Sequence, residues 1–227
     1  MSKSSDTSGP EFPVTDVLVT TRQSLHGLAE WLLAGPQYAR AGTIRLRVVD
    51  GGVATKDGQV GLDAASLVVR SSDGEVRYPL KGTLQEVGAA AGIEPSVPGD
   101  LYSDHAPVGP DNEIDLDQST AQLLFEWFER GRQGLVAFAP DAEPILWPEH
   151  FDLGISSDEV NYGISLGDAT HAEPYAYIGP FAQRDGDFWN APFGAVRSAN
   201  DLPTAGAIGM FFAEGAKRAA SDPLAQA

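Results

Sequence analysis

The sequence predicts an α+β fold made of two halves, each a helix, an antiparallel three-stranded meander and a second helix, packed as one unit. Three observations predict it. Segments with apolar residues at every third or fourth position flank groups of alternating segments. Short turns join the alternating segments, and strands joined in this way pair antiparallel because a parallel pair needs a long crossover. A proline-rich stretch separates the two groups.

The first half begins with a predicted helix over residues 16–34. Leu25, Leu28 and Leu32 form one apolar stripe along it, and Gly35-Pro36 predicts its end. The alternating run TIRLRVV, residues 43–49, then predicts a strand with its leucine and valine side chains turned toward the core.

Two more strands and a short helix complete this half. The runs SLVVRS and EVRYPL predict strands joined by a tight hairpin, because Asp73-Gly74 accepts positive φ. Residues 83–93 predict a helix whose first turn carries Thr83 and Glu86 at the spacing of a capping box.

The second half repeats this order after an irregular connection rich in proline. Helical spacing returns after Asp117, three strand-like runs follow, and a last helix ends the half. The strand-like runs are residues 145–156, 159–166 and 174–181, and the last helix is 203–220. The predicted organisation is a flexible tail, 1–13, and a single domain, 14–227, with halves 14–93 and 117–220 joined by the connection 94–116.

Charge and composition narrow the classes of partner. The chain has 32 acidic and 15 basic residues, a formal charge of −17, so nucleic acid and anionic membrane surfaces are unfavourable partners. A cationic or neutral small molecule, or a basic protein surface, is compatible with this charge. No cysteine is present, which excludes disulfides, thiolate catalysis and Cys-ligated zinc.

Hydrophobic segments give no reason to expect a membrane location. The apolar runs are shorter than the ~20 residues that a spanning helix needs, and the N-terminal residues lack the apolar core of a secretory signal. We therefore expect a soluble protein of the cytoplasm.

The strands of the second half predict a polar and aromatic surface. Side chains alternate between the two faces of a strand, so the apolar members Phe151, Val160 and Ile178 face the core. The opposite face then collects His150, Asp152, Asn161, Ser165, Glu173, Tyr175 and Tyr177. A loop of unusual composition, FWNAPFGAVR, adds Trp189, Asn190 and Arg197 as further candidate ligand-binding residues.

Three functions are consistent with this surface, and a merely solvated sheet face is the alternative to all of them. The leading hypothesis is a small-molecule-binding or accessory protein without catalysis. The second is a metal-dependent, hydrolase-like enzyme in which a divalent metal is held by His150, Asp152, His171 and Glu173, two His-x-acid pairs. The third is an interaction module that docks through the aromatic loop 188–193. No residue is assigned a catalytic role, and the oligomeric state is left open.

Several motifs of the second half carry a family resemblance. LWPEHFDLGIS, NYGISLGD with EPYAYIGPF, and FWNAPFGAVR resemble a family of uncharacterised, mainly actinobacterial proteins that share a domain of unknown function. The resemblance implies a bacterial, cytoplasmic protein that forms a single unit. It implies no activity, cofactor or site residue.

Overall fold

The structure, a computed structural model, describes Phe12 and residues 14–225. Apart from Phe12, the predicted flexible tail lies outside these described residues. Phe12 is buried, with its ring 6.1 Å from that of Trp127, and its backbone N–H donates to Asn200 Oδ1 at 2.9 Å.

Five α-helices are present in the described part of the chain, with a π-helical turn (Ala29–Ala34) between the first two. They are α1 (Asp16–Leu28), α2 (Gly35–Ala41), α3 (Leu84–Ala91), α4 (Gln118–Phe138) and α5 (Ala205–Ser221). Short 3-10 turns lie at Gly99–Leu101 and Ala199–Asp201. No helix among the described residues combines the length and apolar character needed to cross a membrane.

The strands of the described residues form one antiparallel sheet of ten, in the order β5-β4-β3-β2-β1-β6-β7-β8-β9-β10. They are β1 (Leu46–Val49), β2 (Gly52–Thr55), β3 (Val60–Asp63), β4 (Ser66–Ser71), β5 (Gly74–Pro79), β6 (Ile145–Trp147), β7 (Asp152–Ser157), β8 (Val160–Ser165), β9 (Tyr175–Pro180) and β10 (Ala195–Ser198). The α+β class is confirmed, but the prediction of two three-stranded meanders is wrong. Each half contributes five strands, and β1 pairs with β6 to make the two meanders continuous.

The first helical segment also departs from its prediction. It continues through Gly35-Pro36 and ends at Gly42, whose φ of 67° lies in the left-handed region. The π-helical turn changes the hydrogen-bond register before Pro36, so the proline occupies the first turn of α2. At that position its missing N–H and fixed φ are tolerated.

Helices pack against one face of the sheet through glycines that permit close approach. A Cβ at Gly131 of α4 would lie 2.3 Å from the Ile164 side chain, and one at Gly215 of α5 would lie 2.2 Å from that of Ile178. Leu153 on the same face is fully buried. The reverse face of the second half therefore carries polar side chains together with Tyr175 and Tyr177.

Candidate functional site

The register of β7, β8 and β9 gathers polar side chains on the reverse face. Asp152 pairs with Ser165, which pairs with Tyr175 on the next strand. Tyr177 lies opposite Gly163. Four of the predicted ligand-binding residues thus stand side by side on one surface.

Tyr177 lies across the neighbouring strands because two of its cross-strand neighbours are glycines. A Cβ at Gly163 would lie 2.2 Å from the ring of Tyr177, and one at Gly154 would lie 3.2 Å from its hydroxyl. The hydroxyl reaches Asp152 on β7 and donates a hydrogen bond to Oδ2. The glycines of this surface therefore make room for a tyrosine of the protein itself.

A second tyrosine–aspartate pair stands next to the first. The Tyr175 hydroxyl donates to Asp168 Oδ2 at 2.6 Å, and the Tyr175 and Tyr177 rings lie 6.3 Å apart. Asp168 Oδ1 accepts the backbone N–H groups of Thr170 and His171 at 2.6 and 2.8 Å. These bonds fix both rings and the loop between β8 and β9.

The two carboxyl groups have opposite electrostatic surroundings. Burial raises the pKa of Asp152, and the hydrogen bond from Tyr177 offsets this only in part. Burial acts in the same direction on Asp168, but the hydrogen bonds from Tyr175 and the two backbone N–H groups lower its pKa below the usual value. The pKa of Tyr177 is raised by burial and by Asp152, so its hydroxyl stays protonated and keeps donating.

These pairs form the floor of a cavity of about 820 Å³. Its walls come from α1, the connection, the turn before β7, the loop after β8, and the loop before β10. The lining includes Arg22, His26, Asp104, His105, Pro107, Glu149, His150, Phe151, Asp152, Ser165, Asp168, Ala169, Tyr175, Tyr177 and Phe193. A second cavity of about 560 Å³ adjoins it and shares Glu149, His150, Asp152 and Tyr177.

Helix α1 supplies one wall and fixes the loop opposite. Arg22 Nη1 donates to the carbonyl oxygens of Leu166 and Ala172 at 3.3 and 3.1 Å. His26 Nε2 donates to the Pro148 carbonyl at 2.7 Å, and its ring is stacked on Phe151 at 5.5 Å. Burial lowers the pKa of His26, which favours the neutral ring at pH 7.

The proline-rich connection supplies another wall and is anchored on the π-helical turn. Glu30 in that turn is fully buried. Its Oε1 lies 2.6 Å from His105 Nδ1, and its Oε2 accepts the Ala106 N–H at 2.7 Å. Trp31 Nε1 donates to the Val108 carbonyl at 3.1 Å. The connection is therefore tied down beside the cavity, although it contains no long regular element.

His150 does not lie beside Asp152 on a strand, so this part of the prediction is wrong. It belongs to the turn between β6 and β7, and the intervening Phe151 has a φ of 48°, which breaks the strand alternation. Its side chain is 60% exposed and lies at the rim of both cavities.

The predicted metal ligands do not form one donor set. His150 is at the rim, Asp152 binds Tyr177, and Glu173 accepts a hydrogen bond from Ser198 Oγ at 2.7 Å. His171 packs its ring 5.2 Å from that of Tyr175. Within residues 14–225 and Phe12, no group of three or more His, Asp and Glu side chains is arranged to hold a metal ion. The four predicted ligands are therefore not gathered as a metal-binding group in this structure.

The aromatic loop before β10 also divides between the two sides of the sheet. Trp189 donates to Asp222 Oδ2 at 3.0 Å, and Arg197 lies 5.2 Å from the Phe211 ring of α5. Both are on the helix side, away from the tyrosines. Asn190 binds the backbone of Val196 in β10, whereas Phe193 is 6.3 Å from Tyr177.

Asn161 lies at the opposite end of β8 from Ser165 and lines only the smaller cavity. Its Oδ1 accepts the Ser156 hydroxyl at 2.5 Å. Sequence reasoning missed the cavity walls that come from outside the second half, which include Arg22 of α1 and Asp104 of the connection. No local pattern marks these residues, because only the packing of the two halves brings them to the tyrosines.

Comparison with known proteins identifies no relative of this chain. No protein-family model, no curated protein sequence and no solved structure matches the chain.

Proposed function

We propose that this protein binds a small molecule in the cavity above Tyr175 and Tyr177. The observation that carries the proposal is the floor itself, where each tyrosine is held by its own aspartate. Groups held in place before a ligand arrives lose little conformational entropy on binding. A solvated sheet face has no need of two fixed tyrosine–aspartate pairs beneath walls from five other segments.

Size and lining support the same function. About 820 Å³ is within the range of small-molecule sites, which are concave and combine aromatic walls with a few fixed polar groups. Phe151 and Phe193 supply apolar walls, and Ser165 adds a hydroxyl at the floor. We propose binding alone and assign no residue a catalytic role.

Filling the cavity from its rim tests this function. Ala169 is exposed and lines the cavity, and the adjacent Thr170 is also exposed but does not line it. We expect Ala169→Trp to abolish the binding of aromatic fragments carrying an ammonium, hydroxyl or carboxylate group, measured by saturation-transfer NMR. Thr170→Trp is the matched control and keeps the binding of the unmodified protein.

Two results would contradict the proposal. One is a fragment panel that gives no binding to the unmodified protein. The other is binding that Ala169→Trp and Thr170→Trp leave equally intact, because the fragments would then occupy another surface. Circular dichroism of both variants verifies that the added ring has not unfolded the protein.

A further inference from the structure

The chemistry of the cavity also indicates the charge of its ligand. Resting on the small-molecule function above, we propose that the ligand is an organic cation, a protonated amine on an aromatic or other planar body, with its ammonium group at Asp152. Three independent features support this assignment: the state of Asp152, the charges around it, and the aromatic walls.

Asp152 is a desolvated carboxyl group with unused hydrogen-bonding capacity. The residue is only 9% exposed and stands where the two cavities meet. Its Oδ2 accepts the Tyr177 hydroxyl, and in the described part of the chain no other side chain donates to the carboxyl group. A buried carboxylate is unfavourable unless it is paired. An ammonium group in the cavity would supply the missing donor and the missing positive charge.

Charges around the cavity are mainly negative. Asp104, Glu149 and Asp168 line it together with Asp152. Arg22 is the cavity's one arginine or lysine among the described residues, and its Nη1 is occupied by the backbone of the β8–β9 loop.

Two of the three histidines that line the cavity leave this balance unchanged, because His26 favours its neutral form and His105 is paired with Glu30. The third, His150, is exposed at the rim. On a larger scale, residues 94–227 have 22 acidic and six basic side chains, whereas 14–93 have eight of each. An anionic ligand would be repelled by this field and a cation attracted.

The aromatic walls suit a cation that has an apolar body. Tyr177 and Phe193 meet edge to face, with centroids 6.3 Å apart and planes at 88°. Tyr175 stands on the other side of Tyr177 at 6.3 Å. An ammonium group above a ring face is stabilised by the negative face of the ring, and a planar body packs against the remaining rings. A hydrogen-bonding ammonium fits the free oxygen of Asp152 better than a quaternary one, which has no N–H.

Three probes of similar shape and different charge test the inference: phenethylamine, 2-phenylethanol and phenylacetate. In calorimetric titrations of the full chain we expect phenethylamine to bind at least about tenfold more tightly than 2-phenylethanol, since a charge-assisted hydrogen bond is stronger than a neutral one. Phenylacetate should bind most weakly. We expect Asp152→Asn to remove the preference for the amine over the alcohol.

Matched variants separate a local contact from the general field. Asp111→Asn removes the same charge at an exposed position outside the cavity, and we expect it to keep the preference for the amine. Glu149→Gln at the rim should reduce the affinity for phenethylamine about two- to threefold. This variant still tests the effect of negative charge at the cavity if Asp152→Asn fails to fold.

Different results would contradict the organic cation and the small-molecule function. If 2-phenylethanol or phenylacetate binds as tightly as phenethylamine, and Ala169→Trp abolishes that binding, the cavity is a binding site but the cation is wrong. The cation is wrong in the same way if phenethylamine does not bind while other fragments are displaced by Ala169→Trp. If no fragment responds to Ala169→Trp, the function itself is contradicted.

Discussion

Gly163 is the residue on which the position of Tyr177 most directly depends. Replacing it with alanine places a Cβ 2.2 Å from the tyrosine ring, so the ring must move and its bond to Asp152 must break. We expect Gly163→Ala to lower the free energy of unfolding by about 1–3 kcal/mol, measured by urea denaturation. Fragment binding to the cavity should be lost as well.

Gly179 provides the control for this substitution. It also lies on the sheet, but a Cβ there would have its nearest neighbour at 3.6 Å, an ordinary contact. We expect Gly179→Ala to change stability by no more than about 0.5 kcal/mol and to leave binding unchanged. Equal effects of the two substitutions would show that the tyrosine is not held as described.

Asp152 should make stability depend on pH. Its pKa is raised above the ordinary 3.8 by burial, so between these two values the folded protein holds a proton that the unfolded chain releases. The contribution of Asp152 to the free energy of unfolding therefore falls as pH rises through this window. Asp152→Asn keeps an oxygen acceptor for Tyr177 and removes the titration, so we expect this fall to disappear.

Denaturation midpoints from about pH 4 to about pH 8 measure the effect, with Asp111→Asn as the control for a general change in charge. We predict that the denaturation midpoint of Asp152→Asn rises relative to that of the unmodified protein as pH increases. Parallel curves would contradict it, because the carboxyl would then titrate alike in both states.

Individual residues of the polar face could be predicted only where side chains alternate regularly along a strand. Asp152, Ser165, Tyr175 and Tyr177 follow the period of two, and the register brings them together. His150 does not, because the left-handed conformation of Phe151 reverses the direction of the side chains. A positive φ at a phenylalanine has no sequence signal, since it is sustained by tertiary packing.

Among the elements, the junction of the π-helical turn and α2 depends on one close contact. A Cβ at Gly35 would lie 1.7 Å from the carbonyl oxygen of Ser96 in the connection. We expect Gly35→Ala to displace the connection and cost about 2–4 kcal/mol of unfolding free energy. Thermal unfolding followed by circular dichroism measures the loss.

A helix glycine without such a contact is the comparison. A Cβ at Gly206 in α5 would find its nearest neighbour at 3.8 Å. Alanine is the better helix former, so Gly206→Ala should stabilise by up to about 1 kcal/mol. If Gly35→Ala were equally harmless, the connection could not be held as tightly as the structure describes.

Elements with a strong local signal were predicted, and short elements without such a signal were not. The capping box at Thr83 and Glu86 is present, and β4 and β5 form the expected hairpin at Ser71 and Gly74. The strands β2 and β3 have four residues each and include glycines, so they lack the alternation that marks a strand. Their place in the sheet is fixed by pairing with β1 and β4.

For the molecule as a whole, the cavity is a product of both halves. The tyrosine–aspartate floor belongs to the second meander, whereas Arg22 and His26 come from the first helix and Asp104 from the connection. The sequence predicts Asp152, Tyr175 and Tyr177 of this floor because the alternation along a strand is local. It does not predict the walls, because their position depends on packing between segments that are far apart in the chain.

The most direct test is NMR of the protein labelled with ¹³C at tyrosine Cζ, titrated with phenethylamine, 2-phenylethanol and phenylacetate. We predict that at least one of these compounds shifts the resonances of Tyr175 and Tyr177. Those of Tyr38 and Tyr78, which do not line the cavity, should stay in place. Resonances of Tyr175 and Tyr177 that remain unchanged with all three compounds, or shifts of equal size at all four tyrosines, would contradict a binding site on this face of the sheet.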